Sequence, residues 1–160
     1  MRIRIVSALF IVTAFATVAA AQTQTTRQYA AKFICGKASD EQVKAFLAAP
    51  GIYYTAINVH NPRLKFTITY QKKFALGQPS EQAGKISEWF RGQLKADETM
   101  QIDCVDIYRH IGVDPGTFIE GFAVIQPSLD LDVVGVYTAE AGNGVSAMHM
   151  ERVPLRRTQP

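Results

Sequence analysis

The stretch LKFTITYQKKF, residues 64–74, decides the fold class. Leu64, Phe66, Ile68, Tyr70 and Phe74 fall on one side of an extended chain, and Lys65, Thr67, Thr69, Gln71 and Lys73 fall on the other. A period of two with one apolar and one polar side is the pattern of an antiparallel strand that covers a core and keeps its other face wet. Lys72 interrupts the apolar row near its end, as expected where a strand emerges from the core.

The same period runs through most of the chain on either side. QYAAKFICG (28–36) groups Tyr29, Ala31, Phe33 and Cys35, and QIDC (101–104) sets Ile102 beside Cys104. GIYYTAINVHNPR (51–63) sets Tyr53, Thr55, Ile57 and Val59 against Ile52, Tyr54, Ala56, Asn58 and His60, then ends in the turn chemistry of Asn61 and Pro62. TFIEGFAVIQP (117–127) and LDLDVVGVYTA (129–139) are apolar on both sides, which predicts central strands, with Gly121 and Gly135 marking bulges or close packing. Residues 127–130 form a short turn between them, and Asn143-Gly144 signals a hairpin into a last strand over 145–153.

Two segments break the pattern. SDEQVKAFLAAPG (39–51) has a capping Ser39, Gln42 three residues on, and Val43, Phe46 and Leu47 at helical spacing, which predicts a short helix. VDIYRHIGVDPG (105–116) suggests another turn of helix, and residues 78–95 fit either a helix or a short strand over 86–90. The expected fold is all-β: an antiparallel β-sandwich, Ig-like in the broad sense, of seven to eight strands with one or two short helices and one disulfide.

The N-terminus predicts the compartment. Arg2 and Arg4 precede an apolar run over 5–20 that is short for a membrane span, and Ala19, Ala20 and Ala21 fit a small-residue cleavage site. The expected organisation is a signal peptide (1–21), a polar linker (22–28), one sandwich domain (29–153) and a flexible tail (154–160), with a periplasmic or extracellular destination. No transmembrane segment is expected after cleavage. Removing Arg2 and Arg4 leaves 15 basic residues against 14 acidic ones, a net +1 without a basic stripe, which argues against nucleic acid as a partner. The two cysteines, Cys35 and Cys104, are expected to pair across the core; a reactive or metal-bound thiol is the rival.

The segments KFICG, YYTAINVHNP, IDCVDI, GFAVI and LDVVGVYTA together resemble a group of short secreted prokaryotic proteins with no established activity. The resemblance covers residues 32–153 and implies a single disulfide-containing β-sandwich, with no functional residues to carry over. The chain departs from it at SDEQVKAFLAAPG, where the resemblance implies a more loop-like, proline-rich connection.

Hydrolase and phosphate motifs are absent from the sequence, and the acidic pairs Asp97 with Glu98 and Asp103 with Asp106 read as a solvated loop and a strand end rather than an acid/base couple. Copper is the alternative function, drawing on His60, His110 and His149, with Met148 and Met150 or Cys104 as soft donors. Extended geometry points Met148 and Met150 away from His149, which weakens it. Asp130, Asp132 and Ser128 are hard donors for calcium without a recognised loop pattern. No cofactor is implied. The favoured function is a non-catalytic module that binds an unknown protein or envelope component. Its first candidate surface is Asn58, His60 and Asn61, and its second is Tyr137 with Thr138; both sets have a structural alternative as strand-end caps.

Overall fold

The computed structural model describes residues 25–158 except 46 and 143, so the expected signal peptide, the start of the linker, Phe46 and the Asn143 turn position lie outside the described residues. Ten strands and two helices follow in the order β1 (Thr26–Lys37), α1 (Asp40–Lys44), β2 (Ile52–His60), β3 (Ile68–Gly77), β4 (Ala83–Ile86), β5 (Phe90–Leu94), β6 (Thr99–Asp103), α2 (Cys104–Ile111), β7 (Ile119–Pro127), β8 (Asp132–Glu140), β9 (Val145–Arg152) and β10 (Arg156–Thr158). The named strand pairs are all antiparallel.

Two sheets share β1. In the first, β3 lies between β7 and the successive pair β5 and β4, and β7 pairs with β1 from Tyr29↔Ile125 to Cys35↔Ile119. In the second, β2 lies between β6 and β8, and β9 closes the outer side. The last two residues of β1, Gly36 and Lys37, cross over to pair with Tyr53 and Ile52 of β2. The inward rows are those of the alternating pattern: Ala31, Phe33, Ile57, Val59, Ile68, Phe74, Ile102, Ala123, Ile125 and Val133 are buried in one core. Each large side chain in that set contributes roughly 1.5–3 kcal/mol of transfer free energy. Gly121 and Gly135 serve close packing: a Cβ at Gly121 would meet the Ala75 carbonyl oxygen at 2.0 Å, and one at Gly135 would meet the Tyr137 hydroxyl at 2.5 Å.

Several expectations are corrected. The strand of LKFTITYQKKF starts at Ile68, not Leu64; Leu64 and Phe66 sit in the preceding loop, 81% and 63% exposed. Cys104 is the first residue of α2 rather than the end of a strand, because Asp103 accepts from the Asp106 N–H and Asp106 accepts from the Asp103 N–H, a reciprocal cap that turns the chain into helix. The ambiguous segment is two short strands, broken where Ser87 bonds both the N–H and the carbonyl of Phe74. That break, together with short β6 and β10, raises the strand number to ten. Strand pairing extends beyond residues 29–153, since β10 pairs with Thr26, Arg27 and Gln28. The one-turn helix α1 forms, with Ser39 and Gln42 making the reciprocal cap.

The disulfide joins Cys35 of β1 to Cys104 of α2, with Cα atoms 5.7 Å apart. Beside it, the buried Thr55 hydroxyl accepts from the Ile34 N–H at 3.0 Å and donates to the Ile34 carbonyl at 2.8 Å. This side chain fills the gap on the β2 edge between the end of β1 and the start of the β6 ladder. Helix α2 buries Ile107, Tyr108 and Ile111 and ends at Gly112, whose left-handed backbone suits a residue without a Cβ.

Candidate functional site

The outer face of the second sheet is built from cross-strand rows fixed by register. Tyr54, Thr138 and Met148 form one row; Ala56, Val136 and Met150 the next; Asn58, Val134 and Arg152 the third; His60 and Asp132 the last. Strand β6 adds Asp103, Gln101 and Thr99 beside Ala56, Asn58 and His60. The face therefore grades from apolar at the Tyr54 end to charged at the His60 end. At the apolar end a shallow cleft of about 300 Å³ is floored by Ala56 and Val136 and walled by Tyr54, Thr138, Asp103 and Val105. Tyr54, Val105, Met148 and Met150 are all exposed there, by 47 to 68%. Strand β9 pairs with β8 and has no other strand partner among the described residues, and all eight of its residues are exposed.

The residues first suspected do not all share this face. Asn58 lies between the apolar and charged ends. His60 sits between two carboxylates, with Nε2 3.0 Å from Asp97 Oδ1 and Nδ1 3.8 Å from Asp132 Oδ2, and Asp132 also pairs with Arg152. These contacts tie the β5–β6 turn to the ends of β2 and β8. Asn61 is fully buried, so it belongs to no surface: its Nδ2 is 2.8 Å from the Phe66 and Lys95 carbonyls and 3.1 Å from that of Leu94, and its Oδ1 accepts the Arg63 N–H. Thr138 lines the cleft. Tyr137 points to the opposite side of the sheet, where it donates to Glu151 and stacks on His149. Burial and the Glu151 carboxylate both raise its phenol well above the ordinary tyrosine value.

The three histidines of the copper alternative are not brought together. His60 is at the charged end, His149 is against Tyr137, and His110 of α2 lies against the rings of Phe74 and Phe90, with centroids 5.6 and 3.9 Å away. Burial lowers the His110 pKa, and Lys72 and Arg109 lower it further. Both cysteines are bonded to each other, and among the described residues no cluster of three or more His, Cys, Asp or Glu is placed to hold a metal ion. The suspected calcium donors are engaged in ion pairs, Asp130 with Arg27 at 2.8 Å and Asp132 with Arg152.

Tyr54, Val105 and Val136 were missed as site residues, and Met148 and Met150 were weighed only as copper donors. The two-sided apolar pattern of LDLDVVGVYTA signals a central strand buried on both faces, whereas β8 is central within its sheet and has one face open. The only sequence sign was the pair of methionines sharing one side of β9.

No protein-family model matches the chain, and no curated protein is similar to it in sequence. Among solved structures, the crystal structure of Thermotoga maritima 1070 is similar over 81% of this chain and 92% of that one, at 5% identity and a TM-score of 0.48. That likeness is too distant to carry an assignment. Among the described residues no helix is long and apolar enough to cross a membrane.

Proposed function

We propose that the protein is an exported, non-catalytic binding module that holds a partner at the cell envelope through the apolar end of its second sheet. The observation that carries this is the exposed group Tyr54, Val105, Met148 and Met150 around the cleft. Contiguous apolar surface of this kind, next to polar rows, marks an interaction site more often than isolated exposed side chains do. The open edge of β9 adds unpaired backbone groups that an extended partner segment can bond. The basic, apolar and small-residue pattern of the leader supports export, and the paired cysteines agree with an oxidising compartment. The neighbours of His60 are carboxylates that position it, which supports a structural role for it.

The test is site-specific photo-crosslinking in the exporting host, with the probe at Met148 or, as a control on the first sheet, at Gln71. A single adduct of defined mass is expected from Met148 and not from Gln71, and Tyr54→Asp with Met150→Asp should abolish it. Equal labelling from both positions, or none, rejects the surface. Turnover of an envelope substrate that disappears with His60→Ala rejects the non-catalytic reading.

A further inference from the structure

The loop over residues 61–67 contradicts the pattern that precedes it. Its Leu64 and Phe66 continue the apolar row of β3 in sequence, yet both are exposed, at 81% and 63%. They are not exposed because the loop is loose. The buried Asn61 amide holds the Phe66 carbonyl on one side and the Leu94 and Lys95 carbonyls on the other, and its oxygen takes the Arg63 N–H. The base of the loop is thereby fixed while its apolar side chains face outward.

Charge alternates with these side chains. Arg63 and Lys65 flank Leu64, and Lys95 lies on the neighbouring turn, which is bonded to Arg63 through the Asp97 N–H and the Arg63 carbonyl. Among the described residues none of these three cations has a carboxylate within salt-bridge distance. The acidic groups of the turn are engaged elsewhere, Asp97 with His60 and Glu98 with the Lys95 N–H. Apolar tips between free cations match the boundary of an anionic bilayer, where acyl chains lie just below phosphate groups.

The placement of the loop agrees. Tyr70 of β3 faces Pro127 of β7, and Ile125 of β7 faces Tyr29 of β1, so β1 begins at the same end of the sandwich from which the loop projects. The apolar sequence run of residues 5–20 is therefore joined to the molecule at this end. Before the expected cleavage after Ala21, a chain still held at a membrane by that run presents this end to the lipid.

We propose that the 61–67 loop is an interfacial anchor, in which Leu64 and Phe66 enter the headgroup boundary of an anionic bilayer and Arg63 and Lys65 contact its phosphates. This surface is separate from the second-sheet cleft, so either can fail without the other.

The full chain, purified as the host processes it, is tested by flotation with vesicles of phosphatidylethanolamine and phosphatidylglycerol, and with vesicles of phosphatidylcholine alone. Binding is expected on the anionic vesicles, weakening as salt is raised. Leu64→Ser with Phe66→Ser should reduce it at least ~10-fold, because interfacial affinity scales with inserted apolar area. Arg63→Ala with Lys65→Ala should remove the preference for anionic lipid. A local readout separates the loop from the N-terminal run: in a Trp89→Phe background, Phe66→Trp should shift its emission to the blue on anionic vesicles. An unchanged emission, or a serine variant that floats like the parent, overturns the proposal, as does binding to a protein partner through Leu64 and Phe66 without any to lipid.

Discussion

Asn61 shows how much one buried polar side chain decides in a small sandwich. Its amide is the partner of carbonyls on two separate segments, and water cannot replace it because the side chain is fully enclosed. Asn61→Ala should cost about 2–3 kcal/mol in urea denaturation, the range for orphaned buried polar groups. Asn61→Asp should be at least as damaging, since a carboxylate would face carbonyl oxygens with nothing to donate; a variant as stable as the parent refutes the role. His110 makes a pH-dependent counterpart. Its folded pKa is lowered by burial, so as pH falls through the ordinary histidine value of about 6.5 the unfolded chain takes up the proton first and the native state loses stability. Above that pH the group contributes no slope. Thermal melts between pH 7 and 5 should therefore fall less steeply for His110→Phe, which keeps a ring between Phe74 and Phe90, than for the parent; parallel slopes would refute this.

At the level of elements, the edge of β2 is the least conventional feature. It is shared by the end of β1, the Thr55 hydroxyl and the ladder to β6, so a single side chain completes what backbone pairing leaves open. Thr55→Val keeps the shape and removes both bonds to Ile34; it should destabilise the fold by about 2 kcal/mol and turn the Ile34 amide from slow to fast hydrogen exchange. Continued protection at Ile34 would mean that the ladder closes without Thr55. The strands themselves were legible because the inward rows of β1 and β2 obey a period of two, as does that of β3 apart from Lys72. Their ends were not, since they are set by individual side-chain to backbone bonds that the alternation of apolar residues does not register. Asn61 captures the Phe66 carbonyl and delays β3, Ser87 divides one expected strand into β4 and β5, and the Asp103–Asp106 cap starts α2 at Cys104. The sequence drew attention to the polar end of the candidate site and, in the cleft, to Thr138 alone. Its apolar end was hidden because valines on both sides of β8 look the same whether the second side meets a core or solvent.

In the whole molecule the Cys35–Cys104 bond is the covalent counterpart of β1's crossover, tying the strand shared by both sheets to the helix that follows β6. It closes a loop of sequence separation 69, which in the chain-entropy model stabilises the fold by roughly 4 kcal/mol. A domain of this size has a net stability of only about 5–15 kcal/mol, so the bond is a large share of the total. Cys35→Ala with Cys104→Ala should lower the urea midpoint by an amount equivalent to about 2–4 kcal/mol, and the slope of the transition should rise as the unfolded chain expands. The same change bears on the cleft, because Asp103, Cys104 and Val105 line it. Crosslinking from Met148 should consequently weaken in the cysteine-free variant even where it remains folded, at urea concentrations well below its midpoint. Matching midpoints for parent and variant would show that the crossover of β1 and the Thr55 bridge hold the two sheets together without the bond.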